Sequence, residues 1–323
     1  MKKIHYLLFA GDVLEQPDPE SLVQSGLYCW QHAFNRGGSV GICKASLDPE
    51  FLQSFDIIHI NYVPGNIPAI TAIHNAIKNS STKLIMNVDY AVGVQASIDP
   101  YLLKEKSQYV DFLFHVEPQG ANLMSYYLKR PVFVNPHPCC VELLSSKYRS
   151  GQDVSPVVLC QYHRYQYTWS IYFYASLKAR SEKFAKFVLA NYAPGQISMS
   201  IEWFFDDVIR YRSYSDYIPF LSKSLLNMDI PPDWVGGRGV VDAAALGIPT
   251  IGSKTSYSQS LIWPELAVDP YDFKSASALL DLFREDFVFY GEMVHQGVER
   301  SKQFGLDASR SRLIRMLEEE NVI

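Results

Sequence analysis

The chain has no apolar run approaching the 18 or more residues that a membrane span needs. Its opening, Met1 to Gly11, is too short and too soon interrupted for a signal peptide, and reads as a first strand. It has no C-x-x-C pair, and its five cysteines (Cys29, Cys43, Cys139, Cys140 and Cys160) are odd in number. Neither a disulfide framework nor a zinc ribbon is indicated, and reduced thiols in a cytoplasmic protein fit best. A location peripheral to a membrane stays open. There is no basic surplus: the net charge is −5, so the sequence carries no clear nucleic-acid signature. The eight histidines show no metal-ligand spacing, and no D-x-D falls in the loops where a metal-dependent transferase would hold its ion. No metal site and no resident cofactor are expected.

What is present is globular. Hydrophobic residues make up 48% and charged residues 20%, enough apolar material for extended cores without long disorder. A length of 323 residues exceeds what a single core usually supports, so two domains are expected.

Strand-like and helix-like segments alternate through the first half. His5 to Ala10, Ser39 to Cys43, Phe55 to Ile60, Lys83 to Val88, Val110 to His115 and Pro131 to Asn135 read as strands. Ser21 to Asn35 and Ile67 to Lys78 have helical spacing. The near-continuous apolar runs suit strands buried on both faces. A polar stretch, Ser145 to Pro156, reads as an interdomain connection. The alternation then resumes, with strands at Val157 to Cys160, Gln196 to Glu202 and Leu225 to Met228, and ends in helices. The pattern predicts an α/β protein of two doubly wound, Rossmann-like domains facing a cleft: residues 1–145, residues 155–304, and a C-terminal helix in 305–323 returning to the first domain.

One segment stands out: Gly236-Gly237-Arg238-Gly239-Val240-Val241-Asp242-Ala243-Ala244-Ala245-Leu246-Gly247-Ile248-Pro249. It reads as a glycine turn, a short Ala-rich helix and a glycine stop. Glycines let backbone N–H groups approach a ligand, and a helix N-terminus favours an anion. Arg238 adds a full charge, and Asp242 can accept from sugar hydroxyls. Helix–glycine–strand connections of this kind also occur in α/β proteins without a ligand there, so both readings stand.

Several segments together resemble the GT-B glycosyltransferases of the glycogen-synthase-like group, family 4 in type. Phe55-Asp56-Ile57-Ile58-His59-Ile60 resembles its D-hydrophobic-hydrophobic-H strand, and Val132 to Pro138 the end of its first domain. Gly237 to Ser253 resembles its donor-site segment, G-x-x-x-x-E-A-x-A-x-G-x-P-V-I-x-S. The resemblance implies transfer of a sugar from a nucleotide-diphosphate sugar, used as co-substrate, to an unidentified acceptor without a metal. It places the donor ribose at Asp242, which stands where the family has Glu, and the phosphates near Arg238, Gly239, Arg164 and His163. The family's second Glu, eight residues earlier, is replaced by Trp234, flanked by Asp233. Asp89 ends a strand where many members carry a catalytic His, and Glu117 is a second catalytic candidate. Gly11 and Tyr62 fall on the acceptor side. Asp89 also suits a turn or cap, and Arg164 a surface loop. His59, inside an apolar strand, reads as a core histidine, and His137 as structural. A non-catalytic two-lobed nucleotide- or sugar-binding protein and a nucleotide-sugar epimerase of the same fold are the alternatives.

Overall fold

Continuous apolar runs at the spacing of one strand each make parallel sheets that must be covered on both faces. The computed structural model, which describes residues 4–9, 26–34, 47–88, 99–149, 155–161, 168–181, 185–192, 204–210 and 214–323, contains two such sheets. The chain divides into two units, one of Met1–Cys139 with Phe304–Ile323 and one of Cys140–Gln303.

In the first unit β1 (Tyr6–Phe9), β2 (Ile57–Asn61), β3 (Lys83–Val88), β4 (Phe112–His115) and β5 (Phe133–Val134) lie side by side in that order, all parallel. Successive side chains on a strand point to opposite faces, and the core divides accordingly. Leu7, Ile58, Ile60, Leu84, Met86 and Leu113 pack against Ile70, Ile73 and Ile77 of α3 (Ile67–Ile77), Leu103 of α4 (Pro100–Ser107) and Met124 of α5 (Pro118–Leu128). Tyr6, Leu8, Ile57, Ile85, Phe112 and Phe114 face the other way. They meet Leu27, Trp30 and Phe34 of α1 (Gly26–Phe34) and Leu313 and Leu317 of the C-terminal helix α13 (Leu306–Glu319). A short helix, α2 (Pro49–Gln53), precedes β2.

Polar groups within this core are joined to one another, as burial demands. His59 is fully buried, with Tyr6 Oη at its Nδ1 and Asn87 Oδ1 2.7 Å from its Nε2. Asn87 Nδ2 in turn donates to Asn61 Oδ1 at 2.9 Å. His59 is therefore the core histidine that its apolar strand predicts. His137 likewise has a structural partner, accepting from Trp30 Nε1 at 2.9 Å.

In the second unit the parallel strands are β6 (Ser155–Gln161), β7 (Lys186–Tyr192), β8 (Asp207–Arg210), β9 (Ser224–Asp229), β10 (Thr250–Ser253) and β11 (Ala267–Val268). Their spatial order is β11-β10-β9-β6-β7-β8. The chain winds outward from β6 to β8, then returns to the other side of β6 and winds outward again. This is the Rossmann order, and its point of reversal lies between β6 and β9. The helices of this unit are α6 (Val141–Tyr148), α7 (Thr168–Ser181), α8 (Tyr214–Ser222), α9 (Arg238–Leu246), α10 (Tyr257–Ile262), α11 (Phe273–Glu285) and α12 (Phe287–Ser301).

The unit boundary falls at Cys139/Cys140 rather than at residue 145. Val141 and Leu144 of α6 are buried and Ser145 Oγ donates to the Ala245 carbonyl at 2.7 Å, so this helix belongs to the core around α9. At the other end, the C-terminal segment joins the first unit from Phe304 onward. β7 and β8 are strands that the sequence reading does not assign. The expected strands Ser39 to Cys43 and Gln196 to Glu202 lie outside the described residues. Cys29, Cys139, Cys140 and Cys160 are buried. Among the described residues no helix is long and apolar enough to cross a membrane.

Candidate functional site

In open α/β sheets, ligands bind beyond the carboxyl ends of the strands where the strand order reverses. In the second unit that place is marked by buried polar side chains. Gln161, the last residue of β6, donates from Nε2 to Asn227 Oδ1 on β9 at 2.7 Å and also to Tyr217 Oη on α8. Asn227 Nδ2 continues to Thr250 Oγ1 on β10 at 3.2 Å. Tyr174 Oη accepts from the Ile230 amide at 3.0 Å, just past the end of β9. Burial pushes both tyrosine hydroxyls well above their ordinary range. At Tyr174 the next cause is the charge of Asp229, and at Tyr217 the charges of Asp242 and Asp229 add to the rise. Both phenols therefore stay protonated as hydrogen-bonding groups.

α9 begins here. Gly237 precedes it with φ +79°, a left-handed conformation that favours glycine. A Cβ at this position would also collide with Ser256 Oγ. The loop after β9 is laced to the loop after β10. Val235 donates its amide to the Thr255 carbonyl at 3.1 Å, Tyr257 to the Val235 carbonyl at 2.9 Å, and Thr255 Oγ1 to the Pro231 carbonyl at 2.7 Å. Gly237, the N-cap of α9, has no side chain to cap the first turn. The helix's leading amides and positive dipole end, with Arg238 beside them, suit an anion.

Arg238 Nε donates to Asp242 Oδ1 at 2.7 Å, one turn along the helix. Its Nη2 reaches Tyr214 Oη at 3.3 Å, and the guanidinium lies 5.8 Å from the centre of the Tyr214 ring. From Val240 to Leu246 every residue of α9 is buried, Asp242 included. Gly247, φ +75°, closes the helix, its amide on the Ala244 carbonyl at 3.0 Å and that of Ile248 on Ala243 at 2.9 Å, the Schellman pattern that a glycine before Pro249 predicts.

The structure thus brings together Arg238, Gly239 and Asp242 among the residues singled out from sequence. Gly11, Asp89, His163 and Arg164 lie outside the described residues. Tyr62 and Glu117 belong to the first unit. Tyr62 follows β2, is 1% exposed, and donates its amide to the Asn87 carbonyl at 2.9 Å. Glu117 is fully buried as the N-cap of α5: Oε2 accepts from the Gln119 amide at 2.7 Å and Oε1 from the Gly120 amide at 2.6 Å. Both its oxygens are used to fix a helix end. Asn227 and Tyr214 escaped the sequence reading. Asn227 had a signal, a polar residue within the otherwise apolar Leu225 to Met228, whereas Tyr214 joins Arg238 only through folding. Among the described residues no three His, Cys, Asp or Glu side chains cluster to hold a metal.

Solved structures share this architecture along nearly the whole chain. HepE of Anabaena in complex with UDP superposes with a TM-score of 0.64 at 11% identity, over 97% of this chain and 100% of that one. Sucrose-phosphate synthase of Thermosynechococcus elongatus gives 0.68 at 14% identity, over 98% of each chain. Trehalose-6-phosphate synthase of Burkholderia multivorans gives 0.68 at 10% identity, over 99% of each. The fold is that of the GT-B glycosyltransferases. No protein-family model matches the chain, and no curated protein matches it in sequence. The GT-B likeness is therefore one of architecture, carried by two parallel-strand sheets.

Proposed function

We propose that this protein is a glycosyltransferase that moves a sugar from a nucleotide-diphosphate sugar to an acceptor without a metal ion. The observation that carries the reading is the start of α9 at the strand-order reversal of the second unit. There the left-handed Gly237 N-cap, Arg238 and the carboxylate of Asp242 meet within one helical turn. Asp242 accepts from the donor ribose hydroxyls. Arg238 and the leading amides of α9, Gly239 among them, face the diphosphate, with Arg164 and His163 adding charge from the segment after β6. As the glycosidic bond to the diphosphate breaks, negative charge builds on the leaving oxygen, and fixed cationic and N–H donors stabilise it. The acceptor is held by the first unit near Gly11, with Asp89 as the base on its hydroxyl. HepE, solved with UDP and with UDP-glucose, supports a donor of this class.

The test is thermal unfolding of the full chain with UDP, GDP, dTDP and ADP and with their common sugar conjugates. A ligand at 100 times its Kd adds about 2.7 kcal/mol of native stability. One responding nucleotide, its response lost in the near-isosteric Asp242→Asn, is expected; a flat panel would overturn the reading. Release of nucleotide diphosphate only when an acceptor is added then distinguishes transfer from binding alone.

A further inference from the structure

α8 turns one stripe inward. Tyr214, Tyr217, Ile218 and Leu221, at the i, i+3, i+4 and i+7 spacing of a single helical face, are all buried. The Tyr217 hydroxyl accepts from Gln161 and ties that face to the polar row of the sheet. Tyr214, the first residue of α8, meets Arg238, the first residue of α9. The Arg238 guanidinium is held from two sides. Along its own helix Nε donates to Asp242 Oδ1 at 2.7 Å. From α8, Tyr214 Oη accepts from Nη2 at 3.3 Å, and the tyrosine ring centre lies 5.8 Å from the guanidinium carbon. That separation is within the roughly 6 Å reach of a cation–π contact.

The two holds differ electrostatically. Asp242 fixes Arg238 but cancels its charge, so the pair alone draws an anion weakly. A neutral phenol fixes the same side chain through its hydroxyl and its π face and adds no negative charge. An arginine free to rotate loses rotamer freedom when an anion orders it, and one already held loses less. The Arg238 side chain remains 24% exposed, so it is held without being sealed from a ligand. We infer that Tyr214 is a positioning residue for donor binding: it holds the Arg238 guanidinium at the start of α9, so that the charge is in place before the diphosphate arrives. The inference rests on the reading of α9 as the site of the diphosphate, and adds to it a residue that acts only through Arg238.

Titration calorimetry of the full chain with UDP, GDP and ADP tests it in a double-mutant cycle. For whichever diphosphate binds, Tyr214→Leu, which removes ring and hydroxyl, weakens it about tenfold. Arg238→Gln weakens binding by itself and leaves an amide that can reach Asp242. Beside it, the leucine change costs less than about twofold. Tyr214→Phe, which keeps the ring, falls between in the otherwise unaltered chain, and it carries the cycle if the leucine variant does not fold. A role for Tyr214 in the fold alone would weaken binding equally in both backgrounds. That result, or no weakening by Tyr214→Leu, or none by Arg238→Gln, would overturn the positioning role while the donor site stands. Failure of every diphosphate to bind the unaltered protein would remove the donor site and the role with it.

Discussion

Arg238 Nε donates to Asp242 Oδ1 across 2.7 Å on consecutive turns of α9, the carboxylate side chain 4% exposed and the guanidinium 24%. A carboxylate so deeply placed has little water to fall back on when its partner is removed. Arg238→Met should therefore cost about 2–4 kcal/mol in urea unfolding. Adding Asp242→Asn should recover part of it, giving a coupling energy of about 1 kcal/mol or more in the double-mutant cycle. Strict additivity would show that the two side chains act independently.

Gly237 and Ser256 make a second pair. The Ser256 hydroxyl is buried, has no hydrogen-bond partner among the described residues, and lies 2.1 Å from where a Gly237 Cβ would be. Ser256→Ala removes an unsatisfied buried group and should leave stability unchanged or raise it by about 1 kcal/mol. Gly237→Ala should destabilise through both the collision and the left-handed φ. Combining the two should restore only the part due to the collision. A Gly237→Ala chain as stable as the unaltered protein would contradict the geometry.

Gly297 on α12 lies against the indole of Trp263, and a Cβ there would overlap the ring. Trp263 cannot swing away without giving up its bond to the Met293 carbonyl. Gly297→Ala, a change that favours an exposed helix, should here lower stability by about 1–3 kcal/mol by chemical denaturation.

Asp206 supplies a pH dependence. Burial alone would raise its carboxyl, but the Phe187 amide at 2.7 Å and Lys178 Nζ at 3.0 Å hold it below the usual aspartate range. Because the folded value is depressed, the charged form contributes stability at neutral pH. That contribution is lost as pH falls through the folded value. The stability difference between the unaltered protein and Asp206→Asn should be constant near neutrality and shrink below about pH 4. A difference that grows on acidification would reverse the assignment.

The extent to which the fold could be read in advance follows from how local each signal was. Ile57 to Ile60 and Leu84 to Val88 are apolar but for His59 and Asn87, the near-continuous run that a strand covered on both faces shows, so the parallel sheet was legible. Phe187 to Ala190 carries the same apolar pattern within β7, a strand that the sequence reading does not assign. The helix, glycine stop and strand from Arg238 to Ser253 were legible because capping and periodicity act within a few residues.

The sequence by itself determined the α/β class, the left-handed stop at Gly247 and the meeting of Arg238 with Asp242, since each depends on residues within one or two helical turns. Tertiary structure alone decided the rest. It set Gln161, Asn227 and Thr250 in one row across three strands, placed Tyr214 under Arg238, and committed Glu117 to capping α5. It also drew α6 into the core around α9. Those choices are made by strand order and burial, which join residues far apart in the chain and leave no periodic mark along it.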